Sequence, residues 1–153
     1  MEELYQNIGI TLNDMIPEAW GKIALFAEFR SDLKRIFFYY IPSGKTDPVY
    51  NLNVPDLYSI NEEEYQELEF QLYDYFTELW EEFRNQNQEQ WTNLTLTIDN
   101  TGDFKIDYNY EDLSEVDSYE QQIIWEYKHL GIKTKGERLQ AIIEKYIDDN
   151  ERT

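Results

Sequence analysis

The 153-residue chain has no cysteine, one histidine, six glycines and four prolines. Without cysteine there is no disulfide, no thiolate-held zinc or iron–sulfur cluster and no thiol nucleophile. A serine-type triad would have to use His129, yet the chain has no G-x-S-x-G turn. His129 falls at the end of a predicted helix, where a cation complements the dipole. The glycines form neither a G-x-G-x-x-G nor a P-loop pattern. No apolar run approaches the roughly 18 residues of a membrane span. The start, Met1–Tyr5, lacks the basic and apolar regions of a signal peptide, and the lack of cysteine suits a cytosolic address. Bases are scarce as well. With 13 Lys+Arg against 32 Asp+Glu, the net charge is −19, and a chain of that sign has no cationic footprint for nucleic acid or an anionic membrane.

Aromatic residues are what the chain has in quantity: 4 Trp, 13 Tyr and 8 Phe, or 16% of its residues. Acidic disordered chains are poor in aromatics, so a folded domain is expected, a single one over residues 1–153 at this length. The charge is unevenly placed. Net charge is −3 over residues 1–60, −9 over 61–90, −7 over 91–120 and zero over 121–153. A chain of this mass exposes about 8,200 Å² by size scaling, and a standard interface takes about 800 Å² of it. Evenly spread charge would put about two excess negatives in such a patch; the clustering puts more there. A self-repelling surface costs stability, and a basic partner would relieve it.

Hydrophobic periodicity predicts the elements. Leu4, Ile8, Leu12 and Met15/Ile16 form one helical stripe, ended by Pro17. Ile23–Phe29 and Ile36–Ile41 read as a β-hairpin, nearly continuous in apolar character and so covered on both faces or central in a sheet. Residues 43–60 read as a loop, with a short edge strand near Val49–Leu52 limited by Pro48 and Pro55. A long helix is predicted from Glu62 to Asn85. Asn61 and Glu64 give it a capping-box pattern, and its stripe is Tyr65, Leu68, Leu72, Tyr75/Phe76, Leu79 and Phe83. Leu94, Leu96 and Ile98, then Phe104, Ile106, Tyr108 and Tyr110, alternate with polar residues around Gly102. This predicts a hairpin with one buried and one wet face. Helices over Tyr119–Leu130, with Gly131 as its stop, and around Leu139–Ile147 close the chain. The order α-ββ-α-ββ-αα gives an α+β class: a mainly antiparallel sheet of four or so strands, with helices on one face.

No catalytic, cofactor-binding or metal-ligating residue can be named. Asp99–Asp103 lacks the ligand spacing of an EF-hand, whose twelfth position would be Tyr110. Paired-carboxylate or metal-dependent hydrolysis would need acids that converge, and no spacing announces such a pair. The acids suit a partner surface better. Those expected to be exposed are Glu63, Glu67, Asp74, Glu78 and Glu81 on the long helix. Asp99, Asp103, Asp107 and Asn109 lie on the hairpin, and Glu111 and Asp112 follow it. Trp91, at the start of a strand, is the expected aromatic anchor, because Trp is enriched at interface centres. An acidic mimic of DNA that inhibits some other nucleic-acid enzyme is the alternative binding function.

Several motifs then coincide. Met15-Ile16-Pro17-Glu18-Ala19-Trp20 follows the first helix, Phe37-Phe38-Tyr39 lies in the second strand, and the acidic helix leads to Trp91-Thr92. The hairpin runs Gly102-Asp103-Phe104-Lys105-Ile106-Asp107-Tyr108, and Trp125-Glu126-Tyr127-Lys128 with Gly131 closes the pattern. Together these resemble the YezG-like immunity protein family of Gram-positive bacteria, which includes the EsaG antitoxins. The resemblance implies a cytoplasmic antitoxin, not an enzyme. It would bind a cognate LXG-type or related toxin exported by type VII secretion, at a C-terminal nuclease domain. Many members have Trp where Leu113 stands, and a basic residue where Gln121 or Gln122 stands. Immunity proteins diverge where they meet their own toxin.

Overall fold

A computed structural model describes residues 1–58, 60–132 and 137–150, without the side chains of 137–140 and 150. The chain divides into two compact units, Met1–Glu111 and Asp112–Thr153.

The first unit is built on a five-stranded, wholly antiparallel sheet of order β3-β2-β1-β4-β5. Its strands are β1 (Trp20–Arg30), β2 (Leu33–Pro42), β3 (Val49–Tyr50), β4 (Asn93–Asp99) and β5 (Phe104–Asn109). β1 is central, and every residue from Ile23 to Phe29 is buried. This accounts for its lack of alternation: both of its faces are covered. On one face Ile23, Leu25, Ala27 and Phe29 pair with Tyr40, Phe38, Ile36 and Lys34 of β2. The same face continues into Leu94, Leu96 and Ile98 of β4 and Phe104, Ile106 and Tyr108 of β5. Two helices, α1 (Glu2–Met15) and α3 (Glu62–Asn85), bring Ile8, Leu12, Met15, Tyr65, Leu72, Phe76, Leu79 and Phe83 onto it to make the core.

α3 occupies the predicted residues because both ends are specified. The Asn61 side chain accepts hydrogen bonds from the backbone N–H groups of Glu63 and Glu64, at 2.9 and 3.4 Å, which satisfies two of the free donors at the helix start. Glu62, Glu63 and Glu64 fall in the first turn and Arg84 in the last, as the dipole favours. Tyr side chains lock the helix to the sheet: the Tyr73 hydroxyl accepts from the Ile36 N–H at 3.0 Å, and the Tyr65 hydroxyl donates to the Asn51 carbonyl at 2.9 Å. On the other side the Tyr5 and Tyr108 hydroxyls share a hydrogen bond of 2.8 Å, joining α1 to β5.

The edge strand expected near Val49–Leu52 forms as Val49–Tyr50, pairing with Tyr39 and Tyr40 and making the sheet five-stranded. Two other expectations need correction. The segment after β3 is not all loop: a 3-10 turn (Asn51–Asn53) and the short helix α2 (Val54–Tyr58) follow, anchored by the buried Asn51 and Val54. The polar face of β4 is not uniformly wet, since Asn93 and Thr95 are buried. β4 lies between β1 and β5, and Asn93 is flanked in register by Glu28 and Asn109. Only the edge strand β5 keeps strict alternation of exposure.

The second unit contains α4 (Ser118–Leu130) and α5 (Glu137–Asn150), which pack against each other. Asp117 caps α4 by accepting from Tyr119 N–H at 2.9 Å, and Gly131 ends it in the left-handed region at φ 67°. Of the stripe expected on α5, Ile143 is buried, while the Leu139 side chain lies outside the described residues.

Phe76 and Phe70 offer a contrast on one helix, the first fully buried and the second 67% exposed. Phe76→Ala should cost about 3–5 kcal/mol in urea unfolding, the usual loss for emptying a core aromatic site. Phe70→Ala should stay within about 0.5 kcal/mol of the wild type.

Candidate functional site

Of the surfaces expected from sequence, the structure assembles one coherently. At about 100° per residue, Glu63, Glu67, Asp74, Glu78 and Glu81 fall within an arc of about 60° on α3. That arc lies opposite Tyr65, Leu72, Phe76, Leu79 and Phe83, and all five acids are exposed. None of the five has an ion-pair partner among the described residues. Like charges three and four residues apart (Glu63/Glu67, Asp74/Glu78, Glu78/Glu81) each destabilise a helix by about 0.2–0.5 kcal/mol. The stripe is interrupted at Phe70. Its ring stands in solvent beside Gln66, Glu69 and Tyr73, and burial raises the Glu69 carboxyl above its ordinary range. Sequence reasoning missed Phe70 because it is neither on the core stripe nor charged. An apolar residue opposite the buried stripe is the signal that would have found it.

The hairpin acids are not part of that face. Asp107 and Asn109 project from the sheet face opposite α1 and α3, in register with Thr95 and Asn93. The charge of Asp107 is partly compensated by Lys105 at 3.7 Å. Asp99 is spent on the turn. One carboxylate oxygen accepts from the Thr101 hydroxyl, the Thr101 N–H and the Asp103 N–H, at 2.6, 2.9 and 3.1 Å. Those bonds, the Thr101 hydroxyl first, hold its carboxyl below the usual range. Gly102 completes the turn at φ 90°. Asp103 is exposed at the tip and Glu111 ends the unit, also exposed. Asp112 begins the second unit, and its carboxylate accepts from Ser114 N–H at 2.9 Å.

Trp91 is not a surface anchor. It is fully buried against Phe29 and Tyr108, with ring centroids 5.2 and 6.3 Å away, and its indole N–H has no acceptor among the described residues. Its carbonyl accepts from the Trp80 indole at 2.9 Å, which pins the end of α3 to the start of β4. A large aromatic after a polar turn is as well placed to enter the core as to leave it, and here tertiary packing decides. The remaining tryptophans are also structural. Trp20 donates to Asn13 at 3.0 Å, and the buried Trp125 lies 5.0 Å from the His129 ring.

Two carboxylates depart from the solvated pattern. Glu18 accepts from the hydroxyls of Tyr58 and Tyr40, which hold its carboxyl below the ordinary range. Glu28 is buried in β1, where burial pushes its carboxyl up against the opposing pull of Arg30 and Arg35, 3.4 and 3.9 Å away. The two acids belong to different neighbourhoods and form no catalytic pair. No group of three or more potential ligands among the described residues could hold a metal ion. No helix is long and apolar enough to cross a membrane.

The first unit thus presents an exposed acidic face on α3, with no ion-pair partner for its five acids among the described residues. The family model described as Immunity protein YezG-like matches residues 1–144, so the chain belongs to the YezG-like immunity protein family and is not an enzyme. The chain is 40% identical over 153 residues to Immunity protein YezG of Bacillus spizizenii, covering 99% of this chain and 95% of the relative. It is 41% identical over 149 residues to Immunity protein YezG of Bacillus subtilis, covering 96% and 99%. The Type VII secretion system protein EsaG of Staphylococcus aureus is 29% identical over 156 residues, covering 99% and 96%.

The Glu18 network gives a pH dependence. Its carboxyl titrates lower in the folded chain than in the unfolded one. The Tyr40 and Tyr58 bonds therefore stabilise the fold above the ordinary carboxylate range and are lost as pH falls through the native value. Glu18→Gln should be less stable than the wild type at pH 7, by no more than about 1 kcal/mol because solvent screens the site. The two proteins should converge in acid. Urea midpoints measured across the pH range check this.

Proposed function

We propose that the chain is the antitoxin of a cognate toxin. It would act in the cytoplasm of the producing cell by stoichiometric binding to the toxin's basic nuclease domain, through the outer face of α3 with Phe70 as the apolar anchor. The observation behind this reading is the stripe of five unpaired acids around one exposed aromatic ring. The pattern suits a basic protein surface, since charge steers the encounter and a desolvated aromatic holds it. Membership of an immunity family supports the role. A relative named as a type VII secretion system protein supports a toxin linked to that secretion route. The family match crosses the boundary between the two units, which supports the whole chain working as one immunity domain. The DNA-mimic alternative is less well served. Phosphates repeat evenly along a strand, whereas the acids of α3 are spaced by four, seven, four and three residues, with Phe70 inside the longest gap.

Co-expression with the toxin encoded beside this gene tests the role: cells should survive with the antitoxin, and death at the unprotected rate would refute the reading for that toxin. The face is tested by Asp74→Lys/Glu78→Lys/Glu81→Lys. These positions lie in the second half of α3, where added cations do not oppose the dipole, so unfolding should be unchanged. Toxin binding should weaken about tenfold or more and lose part of its salt dependence. Phe70→Ala should weaken it as well, with no loss of stability. Unchanged binding in both variants would place the contact elsewhere.

A further inference from the structure

A groove of about 940 Å³ runs between α1 and the β4–β5 turn, within the first unit and away from the Phe70 stripe. Its apolar lining comes from Tyr5 and Ile10 of α1, Trp20 of β1, and Ile98 and Phe104 of the hairpin. Ile10 is 59% exposed and adds apolar surface to the lip of the groove. Beside it Gly9 leaves the wall open, since a Cβ built there meets nothing within 4 Å. A glycine inside a helix is less favourable than alanine, and neither strain nor crowding at this position requires one. The charge of the lining is one-sided: Glu2, Glu18 and Asp99 contribute carboxylates, and no lysine, arginine or histidine lines the groove.

These features select an occupant. An anionic ligand would meet three carboxylates. A second copy of this chain would bring another −19 of the same sign. A basic protein segment satisfies both the apolar wall and the acidic rim. Resting on the antitoxin reading above, we infer that this groove is a second toxin contact. It receives a bulky apolar side chain flanked by lysine or arginine from the cognate toxin, at a site separate from the outer face of α3. Apolar insertion supplies the slow dissociation, and the rim carboxylates set the register.

The test uses the purified full chain and the purified domain of the toxin encoded beside it, with affinity read by calorimetry. Gly9→Tyr places a ring in the open groove at a position where any residue other than proline favours the helix more than glycine does. It should fold with an unchanged or raised urea midpoint and bind the toxin about tenfold or more weakly. Ile10→Lys, on the exposed lip, should also weaken binding. Gly9→Ala adds only a methyl group and should bind as the wild type does, as should Leu57→Lys, an equally exposed apolar site on α2. Wild-type affinity in Gly9→Tyr would overturn the groove contact while leaving the α3 face standing. No binding by the wild type would remove the antitoxin reading for that toxin, and the groove contact with it. Sedimentation separates the other occupant: a wild-type dimer that Gly9→Tyr converts to monomer would show that the groove takes a second copy, and would overturn the toxin assignment.

Discussion

The packing of this molecule depends on burying β1 from Ile23 to Phe29 on both faces. A strand with no wet side must have a neighbour on each edge and a layer over each surface. β2 and β4 supply the edges through ladders with consecutive partners along the strand. α1 and α3 supply one layer, through a core in which Phe29, Phe38, Phe76 and Trp91 interdigitate. On the opposite surface Phe26 stacks on Phe37 at 5.2 Å and Tyr39 on Tyr50 at 4.9 Å, with the Arg35 guanidinium 5.1 Å from the Phe37 ring centre. The high aromatic content first served to exclude disorder. In the folded chain it is the material of these two layers.

With β1 covered, the positions of the functional candidates follow. α3 has to lay a continuous apolar stripe on the sheet, so its remaining positions face solvent as a band of matching length. The acids from Glu63 to Glu81 therefore run for about 27 Å along a helix of 24 residues, at 1.5 Å per residue. The stripe that fixes the helix thus also fixes the acids. The turn acid Asp99 is governed differently: it folds back onto Thr101 and Asp103, whose N–H groups, with the Thr101 hydroxyl, take up part of its charge. Asp107 and Asn109, a few residues on, project from the sheet face opposite α1 and α3.

The legible parts were those with a period. α3 was read to its end residues because Asn61, the heptad-like stripe and the polar run after Asn85 agree. β4 and β5 were read from alternation, and Gly102 and Gly131 from their need for positive φ. β3 was legible as a short edge strand limited by Pro48 and Pro55, and it pairs with Tyr39 and Tyr40. What escaped was set by neighbours. Asn93 and Thr95 look wet until β1 lies beside them. Trp91 carries no mark separating an anchor from a core residue, since the same ring serves either, and only the Phe29 and Tyr108 rings around it decide. Phe70 was overlooked for the converse reason: an exposed ring leaves no trace in a search for buried stripes.

Glu28 has a different meaning when the chain is not folded. Within β1 it is an acid whose ionisation is opposed by burial and only partly supported by Arg30 and Arg35. In the unfolded polypeptide the same carboxylate is hydrated and charged, and it interrupts Ile23-Ala24-Leu25-Phe26-Ala27-Glu28-Phe29. Otherwise that run would be seven uncharged residues rich in β-formers, the composition that stacks into intermolecular sheets. Lys22 and Arg30 bracket it at either end. The carboxylate whose charge burial opposes in the native state is thus the one that breaks up a β-forming run in the unfolded chain.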